Sequence, residues 1–174
     1  MSMQVDSAAD VIAFLRRASR IAPGALAVAS PDGTLNYAQL SARVDALAGF
    51  LRNALGTARR EPVAVVAEHD PTVPELYLGV MAAGHAVVPL SARLPDEALA
   101  RVVSNSGSRM GILSPSVAAR LKSVAATADT ARWIAYGKDP GRCVPPDRAM
   151  NLPAGTAMIC FTSGTTGEPK GVIL

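Results

Sequence analysis

Ten residues near the end of the chain, Thr162-Ser163-Gly164-Thr165-Thr166-Gly167-Glu168-Pro169-Lys170-Gly171, are the ones whose types and spacing could do chemistry. Gly164, Gly167 and Gly171 let a backbone adopt positive φ and come close to a ligand. Successive N–H groups in such a turn form a concave anion site. Thr162, Ser163, Thr165 and Thr166 add four hydroxyl donors that suit phosphate oxygens. Lys170 adds a mobile positive charge and is one of only three lysines, with Lys122 and Lys138. Pro169 fixes φ just before it. Together these residues suit the β- and γ-phosphates of ATP and the pyrophosphate that leaves.

A Walker loop needs two glycines separated by four residues, then Lys and Ser/Thr, opening into a helix. Here Gly164 is followed five residues later by Pro169, Lys170 is followed by Gly171, and Val172-Ile173 favour a strand. A helix macrodipole is therefore not the expected phosphate anchor. A Gly/Thr-rich hairpin turn with no ligand is the plain alternative, but a turn has no need of four hydroxyls and a Pro-Lys pair.

The loop resembles the signature of the adenylate-forming superfamily: acyl- and aryl-CoA synthetases, fatty acyl-AMP ligases, luciferases and adenylation domains of nonribosomal peptide synthetases. The match lies at Ser163-Gly164-Thr165-Thr166-Gly167 and Pro169-Lys170-Gly171, and Glu168 falls where the family varies. Leu35-Asn36-Tyr37-Ala38-Gln39-Leu40 resembles that family's early "LTYxEL" segment. The segment from Gly79 to Leu90 resembles its "VLKAGxxxVPL" segment, with Ala82 where a lysine or arginine is common. The likeness runs from about Ala25 to Leu174.

The elements that must position this loop alternate between helix and strand. Ser7 with Asp10 predicts a capped helix bearing Val11, Ile12, Leu15 and Ala18, stopped near Pro23-Gly24. A strand over Leu26–Ala29 turns at Pro31-Asp32-Gly33 into a hairpin. Asn36 and Gln39 form a second capping box, opening a helix with Leu40, Val44, Leu47, Ala48, Leu51 and Leu55 on one stripe and Gly56 as C-cap. Strands are predicted over Pro62–Ala67, Ala86–Leu90, Met110–Leu113, Trp133–Tyr136 and Ala157–Phe161. Helices are predicted over Thr72–Ala83, from Pro95 to Gly107, and from Ser114-Pro115 to about Ala126. Residues Gly137 to Leu152, with Pro140, Pro145 and Pro146, read as a looser stretch. Strand–helix–strand alternation predicts an α/β fold with a largely parallel sheet flanked by helices. The resemblance makes it the N-terminal part of an adenylate-forming enzyme's large domain, residues 1–174 forming a single partial domain with the phosphate loop at 162–171.

Composition bounds the rest. With 174 residues and 49% hydrophobic content, the chain can bury one core. No apolar run reaches the ~18 residues of a membrane span, and no signal peptide is visible, so a cytoplasmic location is expected. The net charge of +3 is small, and Arg16, Arg17, Arg20, Arg59 and Arg60 cluster without interleaved aromatics, which reads as a solvated surface and not a nucleic-acid site. Cys143 and Cys160 match no metal spacing, and Cys160 reads as a buried inert thiol. His69 reads as surface, His85 as a structural residue or last-turn cation. Glu168 would be repelled by phosphate and is expected to face solvent.

The resemblance implies a reaction. A carboxylic acid attacks the α-phosphate of ATP, giving an acyl-adenylate and pyrophosphate, and a thiol from CoA or a phosphopantetheinyl carrier protein takes the acyl group: an acid–thiol ligase. Lys170 and the loop hydroxyls would hold the β/γ-phosphates, with Mg2+ bridging them; which residues bind that metal is left open. The adenine, ribose, metal and acyl-pocket segments follow the signature in that family, as does a small C-terminal domain with a catalytic lysine. The 174 residues alone are therefore expected to be inactive, as the N-terminal portion of a longer ligase. A non-catalytic phosphate-binding module, or half of a split protein pairing with a separate remainder, is the alternative.

Overall fold

A computed structural model describes residues 7–31, 33–68, 71–137, 152–163 and 169–174. Helix α1 (Ala8–Ile21) starts at Ser7, whose hydroxyl accepts the Asp10 N–H and donates to the Asp10 carboxylate at 2.9 Å. The carboxylate accepts from the hydroxyl, a capping-box-like start as expected. Strands β1 (Leu26–Ser30) and β2 (Gly33–Asn36) form the expected antiparallel hairpin, with Asp32 outside the described residues. At α2 (Tyr37–Leu55) the capping box is complete. Gln39 N–H donates to Asn36 Oδ1 at 2.8 Å, and Asn36 N–H to Gln39 Oε1 at 3.0 Å. Gly56 ends the helix at φ 82°, a value that favours glycine.

The centre is a four-stranded parallel sheet of β3 (Pro62–Ala67), β4 (Ala86–Ser91), β5 (Met110–Leu113) and β6 (Arg132–Ala135), in the spatial order β4-β3-β5-β6. Its strands are apolar on both faces because both are covered. Val63 and Val65 of β3 pack against α2 and α3 (Val73–Ala82), through Leu47, Leu51, Leu76 and Val80. Ala64 and Val66 point the other way, toward Leu99 and Val103 of α4 (Asp96–Ser106) and Val124 of α5 (Leu121–Thr127). Helix α1 forms an outer layer over α2, with Leu15 against Leu40 and Val44.

One predicted helix divides. The segment after Ser114 is a 3-10 turn over Pro115–Arg120, followed by α5. The tight winding drops Val117 into the core, while Arg120 donates to the carbonyls of Ala92 and Leu94 and to the carboxylate of Asp96. Hydrogen bonds from Ser123 and then Arg120 hold the Asp96 carboxyl below the usual carboxylate range.

Gly111 sits at the middle of β5, where a Cβ would lie 2.3 Å from the Trp133 ring. Trp133 is itself fixed by its indole N–H, which donates to the Ala128 carbonyl at 2.8 Å. Overpacking against a ring that cannot yield costs about 1–3 kcal/mol. Gly111→Ala is therefore expected to lower the unfolding free energy by that amount, read as a lower urea midpoint at an unchanged m-value. A midpoint equal to the wild type would show that Trp133 moves freely.

Candidate functional site

The signature segment folds as a hairpin. Strand β7 (Ile159–Ser163) pairs antiparallel with β8 (Pro169–Ile173), two residues later than the strand expected over Ala157–Phe161, with Met158 making only a single bridge to Val87. That bridge is parallel, so β7 runs alongside β4, and its carboxyl end lies at the carboxyl ends of the parallel strands. The register brings Thr162 opposite Lys170, Ser163 opposite Pro169 and Phe161 opposite Gly171. Lys170 lies within β8 and no helix follows it among the described residues, as a Walker loop would require.

Among the predicted site residues, the described backbone thus juxtaposes Thr162, Ser163, Lys170 and Gly171. Gly164, Thr165, Thr166 and Gly167 lie outside the described residues, as do Glu168, His69 and Cys143. Lys170 is exposed. Gly171 has a packing reason and not the conformational one expected, since its φ is not positive. A Cβ there would come within 3.1 Å of both Ile159 and Phe161, so glycine lets β8 lie flat against β7. Cys160 is only half-buried, where a buried thiol was expected, and is free. Burial, reinforced by Cys160, pushes the neighbouring Tyr77 phenol above the usual tyrosine range, so it stays protonated at neutral pH.

A cleft of about 800 Å³ opens at the same end of the sheet, between the β1–β2 hairpin and the carboxyl ends of β3 and β4. Tyr77, Pro89, Leu90 and Ser91 line it, with Glu68 and Arg93 at its mouth paired at 3.0 Å. Pro89 and Leu90 close the Gly79–Leu90 segment, but Glu68, Tyr77, Ser91 and Arg93 belong to no motif read from the sequence, and only the topology brings them together. Arg43 holds the buried carboxylate of Glu75 at 3.3 Å, near the start of α3. Burial and then Glu75 push the Tyr136 phenol well above the usual tyrosine range. Among the described residues no group of three or more His, Cys, Asp or Glu could hold a metal ion.

His85 is a correction in part. It is structural but not a last-turn cation: it is fully buried, and its Nδ1 accepts the Glu61 N–H at 3.3 Å. Desolvation, the largest effect, pulls its pKa below the ordinary histidine value even though Glu61 draws it the other way. The unfolded chain therefore binds a proton near pH 6.5 that the folded chain refuses, and stability rises with pH across the interval between the two pKa values. The chain is expected to lose stability as pH falls below about 6.5, and His85→Gln, which can still accept from Glu61 N–H, should lose that part of the slope. Urea midpoints at pH 7 and pH 5 check it; identical slopes for both proteins would refute it.

Among the described residues no helix is long and apolar enough to cross a membrane. The model of the family described as AMP-binding enzyme matches residues 15–174. Indigoidine synthase from Dickeya dadantii (strain 3937) is 33% identical over 97% of this chain, and feruloyl-CoA synthase from Amycolatopsis sp is 35% identical over 91%. The chain spans only 12% and 32% of the lengths of these two curated relatives. The solved structure of the amide bond synthetase McbA from Marinactinospora thermotolerans superposes with a TM-score of 0.73 at 30% identity, over 92% of this chain and 34% of that one.

Proposed function

The chain belongs to the AMP-binding enzyme family, and we propose that it supplies the phosphate-gripping portion of a ligase that activates a carboxylic acid as its adenylate. The observation that carries this reading is the β7–β8 hairpin, which sets the backbone of Thr162 and Ser163 against Pro169 and Lys170 at the carboxyl end of the parallel sheet. A hairpin held there by β4 is a rigid mount for the loop residues Gly164, Thr165, Thr166 and Gly167 between its strands. Transfer at phosphorus depends on positioning and charge neutralisation more than on covalent help from the protein. In this reading Lys170 neutralises charge building on the departing pyrophosphate, and the loop N–H groups and hydroxyls of 162–167 orient the β- and γ-phosphates. An exposed lysine opposite Thr162, where the two strands meet the loop, supports ATP as the ligand. Mg2+, entering with ATP, would add to the neutralisation of phosphate charge that Lys170 supplies.

The acceptor we propose is a thiol, from CoA or a phosphopantetheinyl carrier protein; relatives named as a CoA synthase and as a synthase support the ligase class without choosing between them. As the chain spans a minor part of those relatives, the 174 residues alone are expected to be inactive, consistent with an N-terminal portion, 1–174, of one large domain. ATP–pyrophosphate exchange with a panel of amino, aryl and fatty acids tests this, run on the 174-residue chain beside the longest polypeptide its reading frame encodes. Exchange confined to the longer protein is the expected outcome, and the responsive acid names the substrate class. Exchange by neither protein with any acid would favour a non-catalytic phosphate-binding module.

A further inference from the structure

At the opposite, amino-terminal end of the parallel strands a second cleft, of about 400 Å³, separates α1 from the end of α3. Among the described residues Arg16, Arg20 and Arg60 line it and no carboxylate does; Ile12, Met81 and Ala82 form its apolar floor. Arg52 adds a guanidinium close by, donating to the Ala82 carbonyl at 3.0 Å. Arg60 is held by the Thr156 carbonyl at 2.9 Å. Arg16 meets Asp45 at 3.5 Å, with both side chains more than half exposed, a pair that water largely screens. Positive charge is thus concentrated over an apolar floor, where a merely solvated face would disperse it.

We propose that this cleft docks an acidic amphipathic helix of a partner protein. Arg16 and Arg20 are one turn apart on α1, about 6 Å along its axis, which matches carboxylates at i and i+4 of a second helix. Ala9 and Ala13 are exposed on the preceding turns and line the same cleft, so that face of α1 carries little bulk and a helix can approach it closely. Ile12 and Met81 then meet an apolar side chain between the two acids. The apolar floor favours this partner over a nucleic acid, which would need basic side chains tracking a phosphate backbone. The site is independent of the phosphate hairpin, and its test leaves adenylation aside.

The probe is a fluorescein-labelled synthetic helix with Glu at i and i+4 and Leu between them, titrated with the 174-residue chain and followed by anisotropy at low salt. Saturable binding is expected, weakened at least about tenfold by Arg16→Glu with Arg20→Glu and by exchanging the peptide's Glu for Gln. Ala13→Tyr, which fills the cleft without altering charge, should weaken it as much; circular dichroism verifies that each variant is folded. Full binding by Ala13→Tyr would mean diffuse attraction and overturn the proposal. So would no binding at low salt, or a DNA duplex that binds more tightly than the peptide and responds to the same charge reversal.

Discussion

Lys170→Ala, made in the longest polypeptide the reading frame encodes, is expected to cut kcat/KM for ATP–pyrophosphate exchange by about 30- to 1000-fold, the ~2–4 kcal/mol that one preorganised contact to developing charge supplies. The expectation has two parts. Lys170 lies on β8 opposite Thr162, at the mouth of the loop, where negative charge would accumulate as pyrophosphate leaves. It is also exposed, so its removal should change the unfolding free energy by less than about 0.5 kcal/mol, as for surface substitutions generally. Lys170→Arg keeps the charge but replaces a compact point charge by a planar fork, and should recover only part of the loss. Wild-type exchange by the alanine variant would remove Lys170 from the phosphate site. Equal losses of exchange and of stability would mean that the lysine acts through the hairpin and not through the phosphates.

Most of the fold was legible because local signals agreed with each other. The Asn36/Gln39 box, the Leu40-Val44-Leu47-Leu51 stripe and the Gly56 cap all place α2 within a residue of where it lies. The all-apolar run Pro62–Ala67 predicted a strand covered on both faces, and the two clusters on either side of Val63–Val66 bear that out. What was not legible depends on distant partners. Nothing in Pro115–Arg120 announces a 3-10 turn; its winding is set by the carbonyls of Ala92 and Leu94 that Arg120 must reach. His85 follows a helix-ending glycine, a position that suggests a solvated cation, and only the packing of three strand starts around it makes it neutral and buried. The candidate phosphate loop was readable from residue types. Its mount was not: the parallel bridge from Met158 to Val87 joins residues 71 positions apart, and that bridge decides at which end of the sheet the loop stands. A fold-level rule would also have pointed elsewhere. In open α/β sheets ligands favour the crevice where successive connections leave to opposite faces, which here lies between β3 and β5, while β7 lies beyond β4.

Arg109→Met is expected to be the most destabilising single change, by about 3–5 kcal/mol, the range for stripping a buried charge of its partner. Arg109 just precedes β5 and Glu61 just precedes β3, and the guanidinium grips the carboxylate with Nε and Nη2 at 2.7 Å each. The Arg109 side chain is 11% exposed and that of Glu61 3%. The same two residues bind the neighbouring strands through their backbones. Glu61 N–H donates to His85 Nδ1, Ala86 N–H to the Glu61 carbonyl at 2.9 Å, and Arg132 N–H to the Arg109 carbonyl at 2.8 Å. The pair therefore sets the starts of four parallel strands, and methionine would leave the Glu61 carboxylate desolvated without the guanidinium that grips it. The double variant Glu61→Leu/Arg109→Met removes both charges and should recover most of the stability, since a buried pair as a whole contributes little against an apolar replacement. A double variant as unstable as the sum of its single ones would refute that, and would show each residue acting alone. Because this clamp stands at the amino ends of the strands and the hairpin at their carboxyl ends, Arg109→Met made in the longest polypeptide the reading frame encodes should, in its folded fraction, bind ATP with wild-type affinity. A lower affinity would mean that strand position at one end of the sheet is transmitted to the phosphate loop at the other.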